Sequence, residues 1–196
     1  MKTVAINIGH SATQYGAEDP IQPAEGDLRY TREVIDNALL AGFLLREMQN
    51  DPDLQPMLIM QQGAETLASL AKRINDLEPD VIVSLHRNSV LDPRARGYSL
   101  WHHGTSAPGK RLAEAIQNLM KDMVVIDPDP AGAVRSDFER FPGEGFAILR
   151  LTKAPAIIFE GGFISNPRDE CWYDDPACLF AMAFALRKGV SDYLAS

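Results

Sequence analysis

Three short runs constrain this chain more than anything else in it: Thr3–Ile8 (TVAINI), Asp80–Leu85 (DVIVSL) and Pro155–Phe159 (PAIIF). Each is rich in Val and Ile and close to continuously apolar, the pattern of a strand covered on both faces. Gly97–Trp101 reads as a fourth strand and Leu58–Gln61 as a weak fifth. Helical patterns separate them. Thr31–Met48 carries Val34, Ile35, Ala38, Leu39, Leu45 and Met48 at helical spacing and stops at Asn50-Asp51-Pro52. Glu65–Leu77 ends before Pro79, Lys110–Met123 follows the breakers Ser106-Ala107-Pro108-Gly109, and Ala177–Leu194 is opened by Asp175-Pro176. This alternation predicts one α/β domain over residues 1–196, a twisted, mixed but mostly parallel sheet with helices on both faces, phosphorylase/hydrolase-like in kind. Two long loops, Ser11–Asp27 and Ile126–Gly145, are rich in Pro, Gly, Asp and Glu and are expected to wall a binding site.

Composition removes several function classes. The net charge of -8 disfavours binding to phosphate backbones and to anionic membranes. No apolar run approaches the ~20 residues that span a bilayer, so no membrane insertion is expected. The start, MKTVAINIGH, reads as a first strand and not as a signal peptide, so the protein is expected to be made in the cytoplasm and to act outside it only if something else releases it. Cys171 and Cys178 form neither a CxxC pair nor a disulfide framework and read as free thiols. The expected state is a monomer.

The chemistry gathers at strand ends. The first strand runs into Gly9-His10, the Asp80–Leu85 strand into His86, and the Pro155–Phe159 strand into Glu160-Gly161-Gly162. In open α/β sheets, sites form beyond the carboxyl ends of strands, where these three side chains can converge. Glu33 opens the first helix, where the helix dipole favours a carboxylate. Two imidazoles and one carboxylate make a His2Glu set that leaves zinc a fourth position for water. Glu160, at the end of an apolar strand where an unpaired carboxylate is costly, is the expected base, and the double glycine after it would permit close approach of backbone or substrate. Singly, each residue has an ordinary structural reading: a hydrogen-bonded histidine, or a glutamate on a helix surface. The joint pattern points to a metal.

These residues resemble the zinc-dependent N-acetylmuramoyl-L-alanine amidases of the type-3 class. INIGH (Ile6–His10), VSLHRNS (Val83–Ser89), GYSLWHH (Gly97–His103) and, most specifically, ILRLTKAPAIIFEGGFISNPRDE (Ile148–Glu170) carry the resemblance, which runs along the whole chain. The chain departs from the family pattern at Ser11, at Arg87 and at Met60-Gln61-Gln62. The resemblance implies Zn2+ held by His10, Glu33 and His86, with Glu160 as the catalytic glutamate. It implies peptidoglycan as substrate, cut at the amide between N-acetylmuramic acid and L-alanine, in an autolysin or a phage or prophage endolysin. Two alternatives stand beside it: another zinc-dependent amidohydrolase or peptidase of the same fold, and a non-catalytic peptidoglycan-binding regulator.

Other residues take weaker readings. Arg87 is a surface arginine, paired with an acid such as Asp92, or else a contact for a stem-peptide carboxylate. Asn88 serves a turn or touches substrate. Arg150 pairs with an acid, with substrate contact second. His102 and His103, adjacent on a strand, point to opposite faces and cannot both be ligands. Ser165 and Asn166 cap the turn after the catalytic strand, and Trp172, Tyr173, Phe180, Phe184 and Leu186 belong to the core.

Overall fold

The computed structural model describes residues 1–11, 13, 14, 16–18, 32–123 and 126–196. Six strands form one sheet: β1 (Lys2–Ile8), β2 (Leu54–Met60), β3 (Val81–Asn88), β4 (Ser99–His102), β5 (Val134–Ser136) and β6 (Ala156–Phe163). Their order is β2-β1-β3-β6-β4-β5. The first four in that order run parallel, β4 is antiparallel to β6, and β5 is parallel to β4. The sheet is therefore mixed and mostly parallel, as the sequence predicts.

Both faces are covered, which is why the strands read as continuous apolar runs. Helices α1 (Glu33–Gln49), α3 (Ala107–Met123) and α6 (Pro176–Leu194) bury Val4, Ile6, Val83, Leu85, Ile157 and Phe159 on one face. Helices α2 (Leu67–Asp76) and α4 (Ala147–Leu151) cover Ala5, Ile82, Trp101 and Ile158 on the other. The alternation Val4, Ile6 against Ala5, Asn7 is the period of two that a strand imposes. A sixth helix, α5 (Pro167–Asp174), follows β6, with Asn166 capping it through the Arg168 and Asp169 amides.

Three expectations need adjusting, and a fourth cannot be compared. Ala107, Pro108 and Gly109 are not breakers ahead of α3 but its first turn; a proline there lacks only an N–H that has no intrahelical partner anyway. The loop 126–145 contains β5 and a 3-10 turn, Asp137–Glu139, both too short to show a period. Phe180 is 49% exposed, so the aromatic stripe of α6 is only partly core. Most of the loop expected at Ser11–Asp27 lies outside the described residues. Among the described residues, no helix is long and apolar enough to cross a membrane.

Candidate metal centre

The strands do not stop where their apolar runs stop. β3 continues through His86 to Asn88, and β6 through Glu160 to Phe163. His86 and Glu160 are therefore partners in register on adjacent central strands. One strand over, the Gly9 amide donates to the Leu85 carbonyl at 2.9 Å, which carries the chain alongside β3 for one residue past β1. His10 then turns it, with φ 68°. A non-glycine residue pays for that left-handed conformation with roughly 1 kcal/mol or more, a strain characteristic of functional sites. Gly9 has no alternative there: a Cβ would lie 2.5 Å from His86 Cε1 and 2.7 Å from its Nδ1.

Glu33, the first residue of α1, completes the group. Its Oε1 lies 3.1 Å from His10 Nε2 and 2.9 Å from His86 Nδ1. One donor atom from each of the three residues lies within 4.8 Å of the others. The carboxylate is fixed from behind, because Oε1 also accepts from the Arg87 amide at 3.1 Å and Oε2 from the Ala17 amide at 2.8 Å. Burial alone would raise the Glu33 pKa, yet the hydrogen bonds from His10 and His86 outweigh it and hold the carboxyl far below the usual range. Burial pulls the His86 pKa down, but Glu33 and the nearby Glu160 raise it on balance. Two neutral-capable imidazoles and an ionised carboxylate suit a divalent metal of the zinc type, so His10, Glu33 and His86 can hold one.

Glu160 is set apart from this group. Its Oε2 is buried with no hydrogen-bond partner among the described residues. Burial pushes its pKa up to about 7, with the charge of Glu33 adding to the rise and His86 opposing it. A carboxyl poised near neutrality beside a metal-binding group can take and return a proton.

Flanking residues sort differently from the sequence expectation. Arg87 is neither a surface residue nor a partner of Asp92, which pairs with Arg94. It points to the opposite face of β3 from His86, where its fully buried guanidinium bonds Asp36 and, at 3.0 Å, Glu170. It also stacks 4.2 Å from the Tyr173 ring. That burial corrects the reading of Arg87 as a substrate contact. Asn88 ends β3; its Oδ1 accepts from the Ser89 amide and its carbonyl from the Ile164 amide, a turn role. Arg150 lies 3.4 Å from Glu144 on the surface. His102 bonds the His103 carbonyl through Nδ1, while His103 is tied to Asp137 at 3.0 Å. The double glycine serves α5 rather than a substrate: a Cβ on Gly161 would collide with the Tyr173 hydroxyl, and one on Gly162 with Trp172 and Asp169.

A cavity of about 170 Å³ opens directly beside the group, on the α2–α4 face, bounded by His10, His86 and Glu160. Asn7, Gln61, Leu70, Phe146, Ile148 and Ile158 also line it. Sequence reasoning missed this wall. The signal was there in Asn7, the one polar residue inside the TVAINI run.

Residues 4–192 match the family described as N-acetylmuramoyl-L-alanine amidase. The chain belongs to that family. Among curated relatives it is 23% identical over 197 residues to the probable cell wall amidase LytH of Staphylococcus aureus, covering all of this chain and 59% of that protein. The chain thus spans a little over half the length of that relative. Among solved structures it resembles the N-acetylmuramoyl-L-alanine amidase from Clostridium difficile 630, at 25% identity and TM-score 0.82, covering 100% of this chain and 97% of that one. It also shares its fold with the catalytic domain of the amidase CwlV from Bacillus (Paenibacillus) polymyxa, at 23% identity and TM-score 0.80, with 100% and 99% covered.

Proposed function

We propose that this member of the family is a zinc-dependent hydrolase of peptidoglycan, cutting the amide between the lactyl group of N-acetylmuramic acid and L-alanine of the stem peptide. The observation that carries the reading is Glu160: a carboxylate whose Oε2 is buried and, among the described residues, without a partner, in register with His86 and beside the His10–Glu33–His86 group. Bound by those three residues, zinc supplies Lewis acidity, polarising a carbonyl and acidifying a water.

The chain's own residues do the rest. Glu33 enters already ionised and is aimed by two backbone amides, so the ligand set forms with little reorganisation. Glu160 has an acceptor oxygen to spare and a pKa near the working pH, the condition for taking a proton from water and handing it to the departing L-alanine amine. The fit of the residues to amide hydrolysis favours this over a non-catalytic regulator, which has no use for an unpartnered buried carboxylate. The chemistry is the same whether the source is a bacterium or a phage.

The test is release of free L-alanine amino termini from purified peptidoglycan. We expect release that a chelator stops and zinc restores. Glu160→Ala should bind zinc normally and release nothing. Zinc binding without any cleavage of peptidoglycan would sink the substrate assignment and leave the metal site standing.

A further inference from the structure

The cavity beside the metal-binding group has a particular chemistry. Its walls are the side chains of Leu67, Leu70, Phe146, Ile148 and Ile158, and Asn7 is set among them. Asn7 is buried between β1 and β3. Its Nδ2 donates to Ser84 Oγ at 2.8 Å, and its Oδ1 has no partner among the described residues. An unpartnered buried amide oxygen is costly, typically about 1–3 kcal/mol, so one that persists calls for a role. Gln61, at the neighbouring strand end, is committed to the Glu65 carbonyl through its Nε2. Besides Glu160 Oε2 at its metal-side boundary, the cavity thus offers one acceptor unsatisfied among the described residues, Asn7 Oδ1, set between apolar walls.

We infer that this cavity is a subsite for the N-acetyl group of the muramic acid sugar, with the acetamide N–H on Asn7 Oδ1 and the methyl among Leu70, Phe146, Ile148 and Ile158. The inference rests on the function proposed above. A secondary acetamide is the group in such a substrate that carries both an N–H donor and an apolar end. The lactyl methyl and the alanine methyl are too small for the space: a cavity of roughly 150 Å³ accommodates a benzene ring. Either would leave most of the volume unfilled and Asn7 unpaired. A carboxylate of the stem peptide cannot pair with Asn7 Oδ1, since both are acceptors, and Leu70, Phe146, Ile148 and Ile158 offer it no donor. The volume also leaves room beyond an acetyl group, so a propionyl chain fits.

The experiment follows the Asn7 side-chain amide of the zinc-loaded protein by NMR during titration with N-acetylmuramic acid, N-propionylmuramic acid and muramic acid. All three carry the same lactyl carboxylate, which cancels its contribution, and titration at about pH 9, where the free amine of muramic acid is mostly neutral, keeps an ammonium charge out of the comparison. The N-acetyl and N-propionyl sugars should shift the Asn7 signals and bind about tenfold more tightly than muramic acid, a difference of ~1.4 kcal/mol. Asn7→Ala should erase that preference. Leu67→Trp, at a 48% exposed position on the rim, should weaken it without burdening the fold. Equal binding of all three sugars, or a preference with no movement at Asn7, overturns the inference, and neither result needs a variant. Peptidoglycan cleavage measured in parallel separates the two proposals. Cleavage with equal sugar binding removes the subsite and keeps the amidase; Asn7-centred binding without cleavage does the reverse.

Discussion

Removing Arg87 tests how the metal-binding residues are held together. Arg87 follows His86 on β3, and Asp36 lies one turn after Glu33 on α1. Their buried ion pair therefore pins the helix start that carries Glu33 to the strand that carries His86, from the side away from the cavity. Both side chains are at most 1% exposed, so Arg87→Met strands a carboxylate in a dry interior. Breaking a buried pair from one side costs about 3–5 kcal/mol. In a domain of this size each kcal/mol moves Tm by roughly 2–4 °C, so the expected fall is on the order of 10 °C. The pH dependence has a definite sign. Burial already holds the Asp36 pKa up at about 6 in spite of Arg87, above the ordinary 3.8. The folded state thus binds this proton more readily than the unfolded chain, and the group's contribution to stability grows as pH falls from above 6 towards 4. Without Arg87 the folded pKa rises further, so the deficit of Arg87→Met should narrow between pH 7 and 5. The double variant Arg87→Met/Asp36→Leu should be no less stable than the worse single variant, because the stranded Asp36 carboxylate is gone, while Glu170 loses Arg87 in Arg87→Met and in the double variant alike. Thermal unfolding followed by circular dichroism at pH 7 and 5, with a zinc competition titration on each variant, measures all of this. A fall of less than about 3 °C in Arg87→Met, or additive losses in the double variant, would refute a coupled clamp.

Other expectations are briefer. Gly9→Ala puts a methyl against the His86 ring and should weaken zinc binding by at least about tenfold while peripheral packing survives, read by the same competition titration. Zinc must displace the protons shared between Glu33 and the two histidines, so its affinity should fall as pH drops through the raised pKa of His86; a flat affinity between pH 8 and 5.5 would contradict this. On the proposed mechanism Glu160 works ionised, so the rate should rise with pH, with an apparent pKa of about 7 or lower once a cation sits nearby; Glu160→Gln should abolish the limb along with the activity. Saturating zinc should raise Tm and a chelator lower it, by mass action on the folded state alone.

Much of this was legible because two-sided burial writes itself into sequence. TVAINI, DVIVSL and PAIIF could hardly be anything but central strands, and the residues at their ends had to share one edge of the sheet. Glu33 was legible because it opens a strongly patterned helix. Arg87 was not, since one charged letter after a histidine says nothing of which face it takes; only the acids gathered from α1 and α5 make its burial tolerable. The glycines after Glu160 were legible as close-approach points but not as to what approaches, because α5 is too short for its packing face to be read. The cavity depends on Phe146 and Ile148, brought over β6 by a five-residue helix with no periodic signature.

The position of β6 in the sheet has a consequence for how the protein is made. The strand is drawn from residues 156–163, yet it sits between β3 and β4 and holds the middle of the sheet. A ribosome delivers His10, Glu33 and His86 well before the strand against which His86 must align. Throughout that interval β3 has an open, apolar edge, the kind of surface that pairs with the wrong neighbour. The nascent chain can thus carry all three candidate metal donors, just past β1 and on α1 and β3, before β6 covers the open edge of β3. Placement of β6 between β3 and β4 joins the two parts of the sheet and brings Glu160 into register with His86. On the proposed mechanism, a chain synthesised only as far as β5 therefore lacks its proton-transfer group.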